Sequence, residues 1–368
     1  MTRQLIGYRG FRRLAGWMLA SALALGCTAE SVRAQQKQNG MDAVDRDATR
    51  AVVIMYHRIG EAKYPSTNIR LEQLEAHIKE LTSGKYNVMA LPDVVAALQK
   101  REKLPDRAIA ITVDDAFTSV YRELWPRLRA AKLPFTLFLA TGQIAREPGG
   151  EYMTWDQIRE MMKAGVTVGN HSVSHAHLAD QSAARVAEEF TKASETLQKE
   201  LGVRPQIMAY PYGEASSKVI EAARKAGFVA SFGQHSGAIH AGDDMSYLPR
   251  FALNESFGSI KRFRLVVNSL PLYAKDISPS DPVPQTNPPP FGFTVGDGVP
   301  RVNRLNCFSS QHGKLAFERL GERRIELRLP TALRPGRARI NCTLPAADGR
   351  WRWFGYQYYV PRPKAAPR

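Results

Sequence analysis

The chain has 368 residues, 44% of them hydrophobic, which suits one large domain with a smaller one attached and excludes a generally disordered protein. Its 51 Lys and Arg residues against 35 Asp and Glu residues give a net charge of +16. A basic surface favours anionic polymers or membrane surfaces as partners, and it equally suits a merely soluble cationic protein. No basic run is interleaved with aromatic residues in a recognisable binding motif, so we expect no nucleic acid partner.

Residues 1–34 have the pattern of a signal peptide. The basic segment MTRQLIGYRGFRR precedes the apolar segment LAGWMLASALALG, and VRA fits a cleavage site after Ala34. A lipoprotein cleavage site at Cys27 and a twin-arginine signal at Arg12-Arg13 are alternatives that rank below ordinary secretion. No apolar run reaches the roughly 18 residues of a membrane span, so we predict an exported chain, periplasmic or secreted, without a transmembrane segment in its mature form. Nothing in the sequence sets the oligomeric state, and a monomer is the default.

Strand-like and helix-like segments alternate over residues 50–275, after a polar, flexible lead at 35–49. The segment AVVIMYH is a first strand, and the apolar spacing over 71–83, followed by Gly84, predicts an amphipathic helix. Further predicted strands are AIAITV, FTLFLA, VTVGN, QIMAYP and VASFG. Further predicted helices are SVYRELWPRLRAA, TWDQIREMMKAG, SAARVAEEFTKASETLQKELG and SKVIEAARKAG. We expect Pro126 to disturb the helix SVYRELWPRLRAA. This alternation predicts parallel β–α units, and about seven of them favour a closed or nearly closed β/α barrel over an open sheet.

The last part of the chain has a different pattern. Prolines are dense over residues 276–290, which predicts a stiff, extended linker. Beyond it, GKLAFERL, RRIELRLP, RARINCTLP and RWRWFGYQYYV alternate apolar and polar residues between turn-like segments. We therefore predict a small all-β, sandwich-like domain over 291–361 and a tail at 362–368.

Two cysteines, Cys307 and Cys342, remain after signal cleavage removes Cys27. In an exported chain the preferred interpretation of such a pair is a disulfide. Two buried free thiols are the first alternative, and a metal site is the second, since no further Cys or close His completes a set.

Reactive side chains follow three of the predicted strands. AITV leads to Asp114 and Asp115, VTVGN leads to His171 and His175, and QIMAYP leads to Tyr212. Functional groups in parallel β/α folds collect at the carboxyl ends of the strands. Two histidines four residues apart share one face if the segment turns helically, and with one aspartate they make three ligands that leave positions open for water and substrate. Alone, each motif is more often a surface turn or a helix cap; together they indicate a catalytic metal site.

These motifs resemble those of a known family. TVDDA (112–116), HSVSH (171–175) and YPYG (210–213) are similar, in order, to the first three motifs of the polysaccharide deacetylases, carbohydrate esterase family 4. MYHRI (55–59) and the aromatic-Pro-Tyr-Gly form resemble the branch that deacetylates poly-β-1,6-N-acetylglucosamine. The resemblance covers residues 50–270 and implies a distorted β/α barrel of about seven strands.

The resemblance also implies roles for individual residues. Asp115, His171 and His175 would hold a divalent metal, most commonly zinc, with cobalt or nickel as alternatives. Asp114 would be the general base, and the backbone N–H of Tyr212 would stabilise the oxyanion. Tyr210, Pro211 and Trp155 are assigned to substrate binding, although Trp155 equally suits a core position.

The sequence departs from the family at three places, the first of which is Ala116, where family members commonly carry glycine. Ala209 stands where an arginine usually orients the catalytic carboxylate, and Arg250 in LPRF is the candidate replacement. The later Leu-x-His motif, whose histidine protonates the leaving amine, has no clear match, so His235, His240 and Asp114 itself are the candidates. We expect His57 in MYHRI to be a structural hydrogen-bonding residue near the site and not a metal ligand.

Three functions fit these observations. The first is an exported metal-dependent hydrolase that removes N-acetyl groups from an N-acetylglucosamine-containing polysaccharide. The second is an esterase that acts on an O-acetylated polysaccharide such as xylan, since the same chemistry cleaves esters. The third is a catalytically weak polysaccharide-binding protein, which the intact Asp-Asp and His-x-x-x-His motifs argue against. In each case the expected partner is an acetylated polysaccharide.

Overall fold

The computed structural model describes residues 48–362. The predicted signal peptide, nearly all of the predicted lead and the tail from residue 363 lie outside the described residues. Within residues 48–362, no helix is both long enough and apolar enough to cross a membrane.

The first two thirds of the described chain form a distorted β/α barrel, which confirms the predicted fold. The strands run in the order β10-β1-β5-β6-β7-β8-β9, with β11 also beside β1 and β4 beside β5. All neighbours in this sheet are parallel except β10, which is antiparallel to β1. A separate pair, β2 and β3, precedes the first helix. The strands are β1 (Arg50–Tyr56), β2 (Arg58–Ile59), β3 (Asn68–Ile69), β4 (Asn87–Val88), β5 (Ala108–Asp114), β6 (Phe135–Leu139), β7 (Thr167–Asn170), β8 (Ile207–Ala209), β9 (Ala230–Phe232), β10 (Ile239–His240) and β11 (Phe251–Ala252).

Seven α-helices accompany these strands: α1 (Leu71–Leu81), α2 (Leu91–Lys100), α3 (Trp125–Ala130), α4 (Trp155–Lys163), α5 (Ala183–Leu201), α6 (Ser217–Lys225) and α7 (Ile260–Val267). Local chemistry sets their ends: Thr154 and Gln157 form a reciprocal capping box at the start of α4, and Gly202 ends α5 with a positive φ of 72°. The disturbance predicted at Pro126 is a π-helical turn, Val120–Leu124, that leads into the short α3.

The barrel is closed by the segment 245–252. Leu248 pairs with Phe232 of β9, and Phe251 pairs with Ile54 of β1, so the same short segment bridges both edges of the sheet. Arg250 lies between these two pairings and is fully buried. The closure therefore places one arginine in the interior of the barrel.

Two further sheets form the C-terminal part of the described chain. Their strands are β12 (Leu270–Pro271), β13 (Ala274–Ser278), β14 (Phe291–Val295), β15 (Asn306–Ser309), β16 (Gly313–Leu315), β17 (Phe317–Leu320), β18 (Arg324–Leu327), β19 (Gly336–Pro345) and β20 (Trp351–Val360). One sheet has the strand order β12-β20-β19-β15-β16, and the other has the order β13-β14-β18-β17. Apolar residues from both sheets share one core, including Phe293, Ile325, Ile340 and Tyr358. The two sheets thus form a sandwich, called the C-terminal sandwich below.

A disulfide joins Cys307 and Cys342, which are paired positions on the neighbouring strands β15 and β19. This confirms the preferred interpretation of the two cysteines. The strand β13 includes the first residues of the predicted linker at 276–290, and β12 pairs with β20. The domain boundaries proposed from the sequence otherwise stay predictions.

Candidate active site

Two adjacent carboxylates lie at the carboxyl end of β5, in the middle of the barrel sheet. Every residue of β5 is buried, including Asp114, and Asp115 is only 6% exposed. Asp115 has a left-handed backbone with a φ of 62°, so the chain turns sharply between the two residues. As a result, neighbouring residues direct their side chains to different partners.

Asp115 lies against the two histidines of the HSVSH segment. Its Oδ1 atom is 3.7 Å from His171 Nε2 and 3.3 Å from His175 Nε2. The segment does not turn helically, which was the condition under which the two histidines would share one face of a helix. The segment after β7 is an irregular loop in which Ser172 and His175 both have positive φ, at 68° and 54°.

The loop is held by residues that the motif does not include. The buried carboxylate of Glu189 in α5 accepts hydrogen bonds from the backbone N–H groups of Val173 and Ser174, each at 2.8 Å. Asn170 Oδ1 accepts another from the N–H of Ser172 at 2.8 Å. No local pattern pointed to Glu189, because it lies fourteen residues after His175 on a different element.

This cluster suits a divalent cation. Its candidate ligand atoms all lie within 4.8 Å of one another, and the two measured separations match those expected of atoms bonded to one ion at about 2.1 Å. Asp115 Oδ1 and His171 Nε2 are buried and have no hydrogen-bond partner among the described residues. His171 Nδ1 donates to the carbonyl of Ala209 at 2.7 Å, which leaves Nε2 as the free electron-pair donor.

The pKa values of the cluster agree with binding of a divalent cation. Burial lowers the pKa of His171 to about 3 and that of His175 to about 4, so both imidazoles are neutral, the form that binds metal. Burial, with the nearby charge of Asp114, raises the pKa of Asp115 to about 7. A bound cation would supply the missing opposite charge, which would lower the pKa of Asp115 and keep both imidazoles neutral.

Asp114 is paired with Arg250, the residue that we predicted as a substitute for the missing arginine. Arg250 Nη1 and Nη2 donate to the two carboxylate oxygens at 2.6 and 2.7 Å, and both side chains are fully buried. Burial alone would raise the pKa of Asp114, but the charge and hydrogen bonds of Arg250 outweigh it and hold the pKa well below its usual range. Asp114 is therefore ionised and fixed in orientation.

His57, which we expected to be a structural hydrogen-bonding residue near the site, lies beside Asp114. It follows β1, which is adjacent and parallel to β5, and its Nε2 lies 3.9 Å from Asp114 Oδ2. Burial lowers the pKa of His57 to about 4. The available signal was the pairing of two adjacent strands that each end in a titratable residue.

Tyr212 lies on a tight turn, Pro211–Gly213, with a left-handed φ of 59°. Its ring contacts His175 edge-on, with ring centres 4.5 Å apart, and stacks on His177 at 4.3 Å. Gly213 is required here, because a Cβ atom at this position would lie 2.3 Å from the backbone nitrogen of Gln234. The turn is thus packed directly beside the cluster of candidate ligands.

The three residues that we assigned to substrate binding are buried or packed against the barrel core. Tyr210 is fully buried and its hydroxyl donates to the carbonyl of Ser246, so this side chain has no surface to offer a polysaccharide. Pro211 is also buried. Trp155 begins α4 and packs, half-buried, against the barrel core, which is the alternative that we left open for it.

For one of the two histidines considered as proton donors, the topology shows that it lies away from the site. His240 pairs in register with Arg50, at the amino end of β1, whereas Asp114 lies at the carboxyl end of the neighbouring strand. Opposite edges of the sheet separate the two, so the hypothesis for His240 is wrong. His235 is buried against Tyr247, with ring centres 4.5 Å apart.

A buried carboxylate beside an Asp-His-His cluster, at the carboxyl edge of a β/α barrel, defines a hydrolase site suited to a divalent metal. The family model for polysaccharide deacetylases matches residues 101–231. The Bacillus subtilis protein YxkH is 22% identical over 223 residues, which cover 60% of this chain and 78% of that protein. The poly-β-1,6-N-acetyl-D-glucosamine N-deacetylase of Staphylococcus aureus (strain MRSA252) is 24% identical over 230 residues, which cover 56% and 79%.

Solved structures have the same fold. IcaB from Ammonifex degensii superposes with a TM-score of 0.54 at 25% identity, covering 60% of this chain and 97% of that one. The Streptococcus pyogenes deacetylase PplD superposes with a TM-score of 0.55 at 19% identity, covering 60% and 99%. Residues 101–231 are therefore a polysaccharide deacetylase domain, and the chain is a hydrolase.

Proposed function

We propose that this protein is an exported, divalent-metal-dependent enzyme that removes N-acetyl groups from an N-acetylglucosamine-containing polysaccharide. The observation that carries the proposal is the buried Asp114–Arg250 pair beside the unpartnered Asp115 and His171 atoms. The N-deacetylase activity of the Staphylococcus aureus relative supports the choice of an amide and of this polymer class. The disulfide between Cys307 and Cys342 supports an oxidising compartment and hence export.

The metal would be held by Asp115, His171 and His175. When bound there, a divalent ion polarises the acetamide carbonyl and acidifies a water molecule. Zinc suits one carboxylate and two imidazoles, and cobalt or nickel would serve as replacements.

The chain's own residues perform the remaining chemistry. Asp114, kept ionised by Arg250, accepts the proton of the attacking water. The N–H of Tyr212 donates to the oxyanion that forms on the substrate. We assign His57 Nε2 to carry the proton to the leaving amine, because it lies 3.9 Å from the carboxylate that receives it. In this scheme Asp114 accepts the proton from water and releases it to His57, so Asp114 itself need not reach the leaving amine.

Acetate release tests the function directly. We expect release from N-acetylglucosamine oligomers to exceed release from acetylated xylan, to stop on thorough chelation and to return with zinc, cobalt or nickel. Faster release from xylan would support an esterase instead. Binding of the oligomers without any release of acetate would support a binding protein.

Single substitutions distinguish the proposed roles of Asp114 and Asp115. Asp114→Asn should retain the metal and lose turnover, whereas Asp115→Asn should lose both. Asp156→Asn is the matched control, because its side chain is 93% exposed and lies outside the site. Full activity of Asp114→Asn would remove Asp114 from its assigned role, and normal metal content of Asp115→Asn would contradict the ligand assignment.

A further inference from the structure

The C-terminal sandwich contacts the catalytic turn Pro211–Gly213 through side chains of its two longest strands. Gln357 Nε2, on β20, donates to the carbonyl oxygens of Tyr212 and Gly213 at 3.3 and 2.9 Å. Arg337 Nη1, on β19, donates to the same Tyr212 carbonyl at 3.3 Å. The carbonyl groups of Tyr212 and Gly213 are therefore held by residues more than 120 positions away in the chain.

The orientation of the Gln357 amide is determined by its neighbour. Arg339 pairs in register with Gln357, and its Nε donates to Gln357 Oε1 at 3.0 Å. Because an arginine only donates hydrogen bonds, the oxygen of the amide must face Arg339 and the nitrogen must face the turn. Gln357 is 1% exposed, so water does not compete for these contacts.

A second set of contacts fixes the side chain of Tyr212. Its ring stacks on His177, which is nearly parallel to the ring of Tyr359 on β20 at 6.0 Å. His177 Nδ1 is 2.6 Å from the buried carboxylate of Glu214, and Arg337 Nε approaches the same carboxylate at 3.8 Å. The turn is thus enclosed by the sandwich on both its backbone and its aromatic side.

A left-handed conformation at a residue other than glycine persists only where its surroundings hold it. Tyr212 has this conformation, and its N–H is the oxyanion donor of the proposed function, on which this inference rests. We propose that the C-terminal sandwich is part of the catalytic apparatus, with Gln357 and Arg337 as positioning residues that hold the turn so that the Tyr212 N–H meets the developing oxyanion. On this proposal the barrel can bind substrate without the contacts of Gln357 and Arg337 to the turn. Stabilisation of the transition state, in contrast, depends on them.

The test uses full-length variants and two independent readouts. Gln357→Leu removes both hydrogen bonds to the turn, and Arg337→Leu, at a side chain 38% exposed, removes the third without opening the core. We expect kcat to fall roughly tenfold in each with KM within about twofold of wild type, since small misplacement of a catalytic group is costly. Arg337→Lys, which retains a donor, should recover part of the loss, and Arg319→Leu, at an exposed position of β17 in the other sheet, is the control.

Hydrogen exchange of the Gly213 and Glu214 amides is the second readout, because both donate within the turn. We expect faster exchange there in Gln357→Leu and Arg337→Leu, with bound metal unchanged. Unchanged exchange, or faster exchange with wild-type kcat, would overturn the inference. If the wild-type protein releases no acetate from any polymer, the proposed function fails, while the exchange measurement still decides whether the sandwich holds the turn.

Discussion

Replacing Arg250 by methionine should test how the barrel controls its catalytic carboxylate. The guanidinium makes four hydrogen bonds: two to Asp114, one to the carbonyl of Gly233 and one to the hydroxyl of Thr112. Methionine fills much of the space but provides no donor. Breaking a fully buried ion pair by removing one partner costs about 3–5 kcal/mol, because a buried charge is left uncompensated. We expect Arg250→Met to lose about that much free energy of unfolding at pH 7.

The same substitution should move the pH dependence of activity. In the wild-type protein Arg250 holds the pKa of Asp114 below its usual range, so the base is ionised at any pH at which the protein functions. Without Arg250, burial is unopposed and raises this pKa above its usual range. The acidic limb of kcat/KM should therefore move to higher pH by at least about 2 units. Protonation of the metal ligands affects both proteins alike, so the difference between the two profiles isolates Asp114.

Stability should change with pH in opposite directions in the two proteins. A depressed carboxyl pKa stabilises the folded state above the unfolded pKa and loses that contribution as pH falls through the folded pKa. The wild-type contribution should therefore persist below the ordinary pKa of aspartate. In Arg250→Met the folded pKa is raised, so this group should destabilise the protein as pH rises through it.

The assays are urea unfolding and steady-state kinetics across pH for wild type, Arg250→Met and Arg250→Lys. The lysine variant keeps the charge but not the two-pronged geometry, so we expect an intermediate shift. Arg159→Met is the control, because Arg159 is 38% exposed and a surface ion pair is worth at most about 1 kcal/mol. If the acidic limbs of the kcat/KM profiles of Arg250→Met and wild type coincide, Asp114 is not a general base whose pKa is lowered by Arg250.

Three further predictions follow from the structure. His57→Gln should keep its metal and lower kcat by about 10²–10⁴-fold if His57 transfers the proton, and kcat near wild type would exclude that role. Removing the disulfide by Cys307→Ser and Cys342→Ser should cost about 4 kcal/mol of unfolding free energy, from a separation of 35 residues; a loss under about 1 kcal/mol would contradict the loop-entropy estimate. His77 is buried with its pKa lowered to about 4, so stability should fall between pH 6.5 and 4, by up to about 3 kcal/mol for this group; urea unfolding of His77→Gln should show a correspondingly flatter slope.

Local patterns were sufficient to predict most of the barrel and the cluster of candidate metal ligands. Strand and helix periodicity is a property of neighbouring residues, and parallel strands bring their carboxyl ends to one edge, which is why Asp115, His171 and His175 were found together. The loop that carries the two histidines does not form a helical turn, because hydrogen bonds to Glu189 and Asn170 hold it in another conformation.

The partners of the site that come from distant parts of the chain could not be predicted in the same way. Arg250 was only a candidate from the sequence, and its pairing with Asp114, 136 residues away, depends on how the segment 245–252 closes the barrel. Gln357 and Arg337 reach the turn only because the sandwich packs against the barrel. Such contacts follow from tertiary packing, and no local spacing encodes them.

The left-handed residues of the site have a consequence for engineering a more heat-resistant protein. Asp115, Ser172, His175 and Tyr212 all have φ between 54° and 68°, and each such non-glycine residue costs about 1 kcal/mol or more. A screen for higher melting temperature would therefore favour glycine at these positions. At Asp115 and His175 that gain would remove a candidate ligand, and at Tyr212 it would remove the ring between two histidines. Resistance to heat and turnover should be in conflict at these positions, and Ser172, whose side chain accepts a hydrogen bond from the His175 N–H, is where the conflict should be mildest.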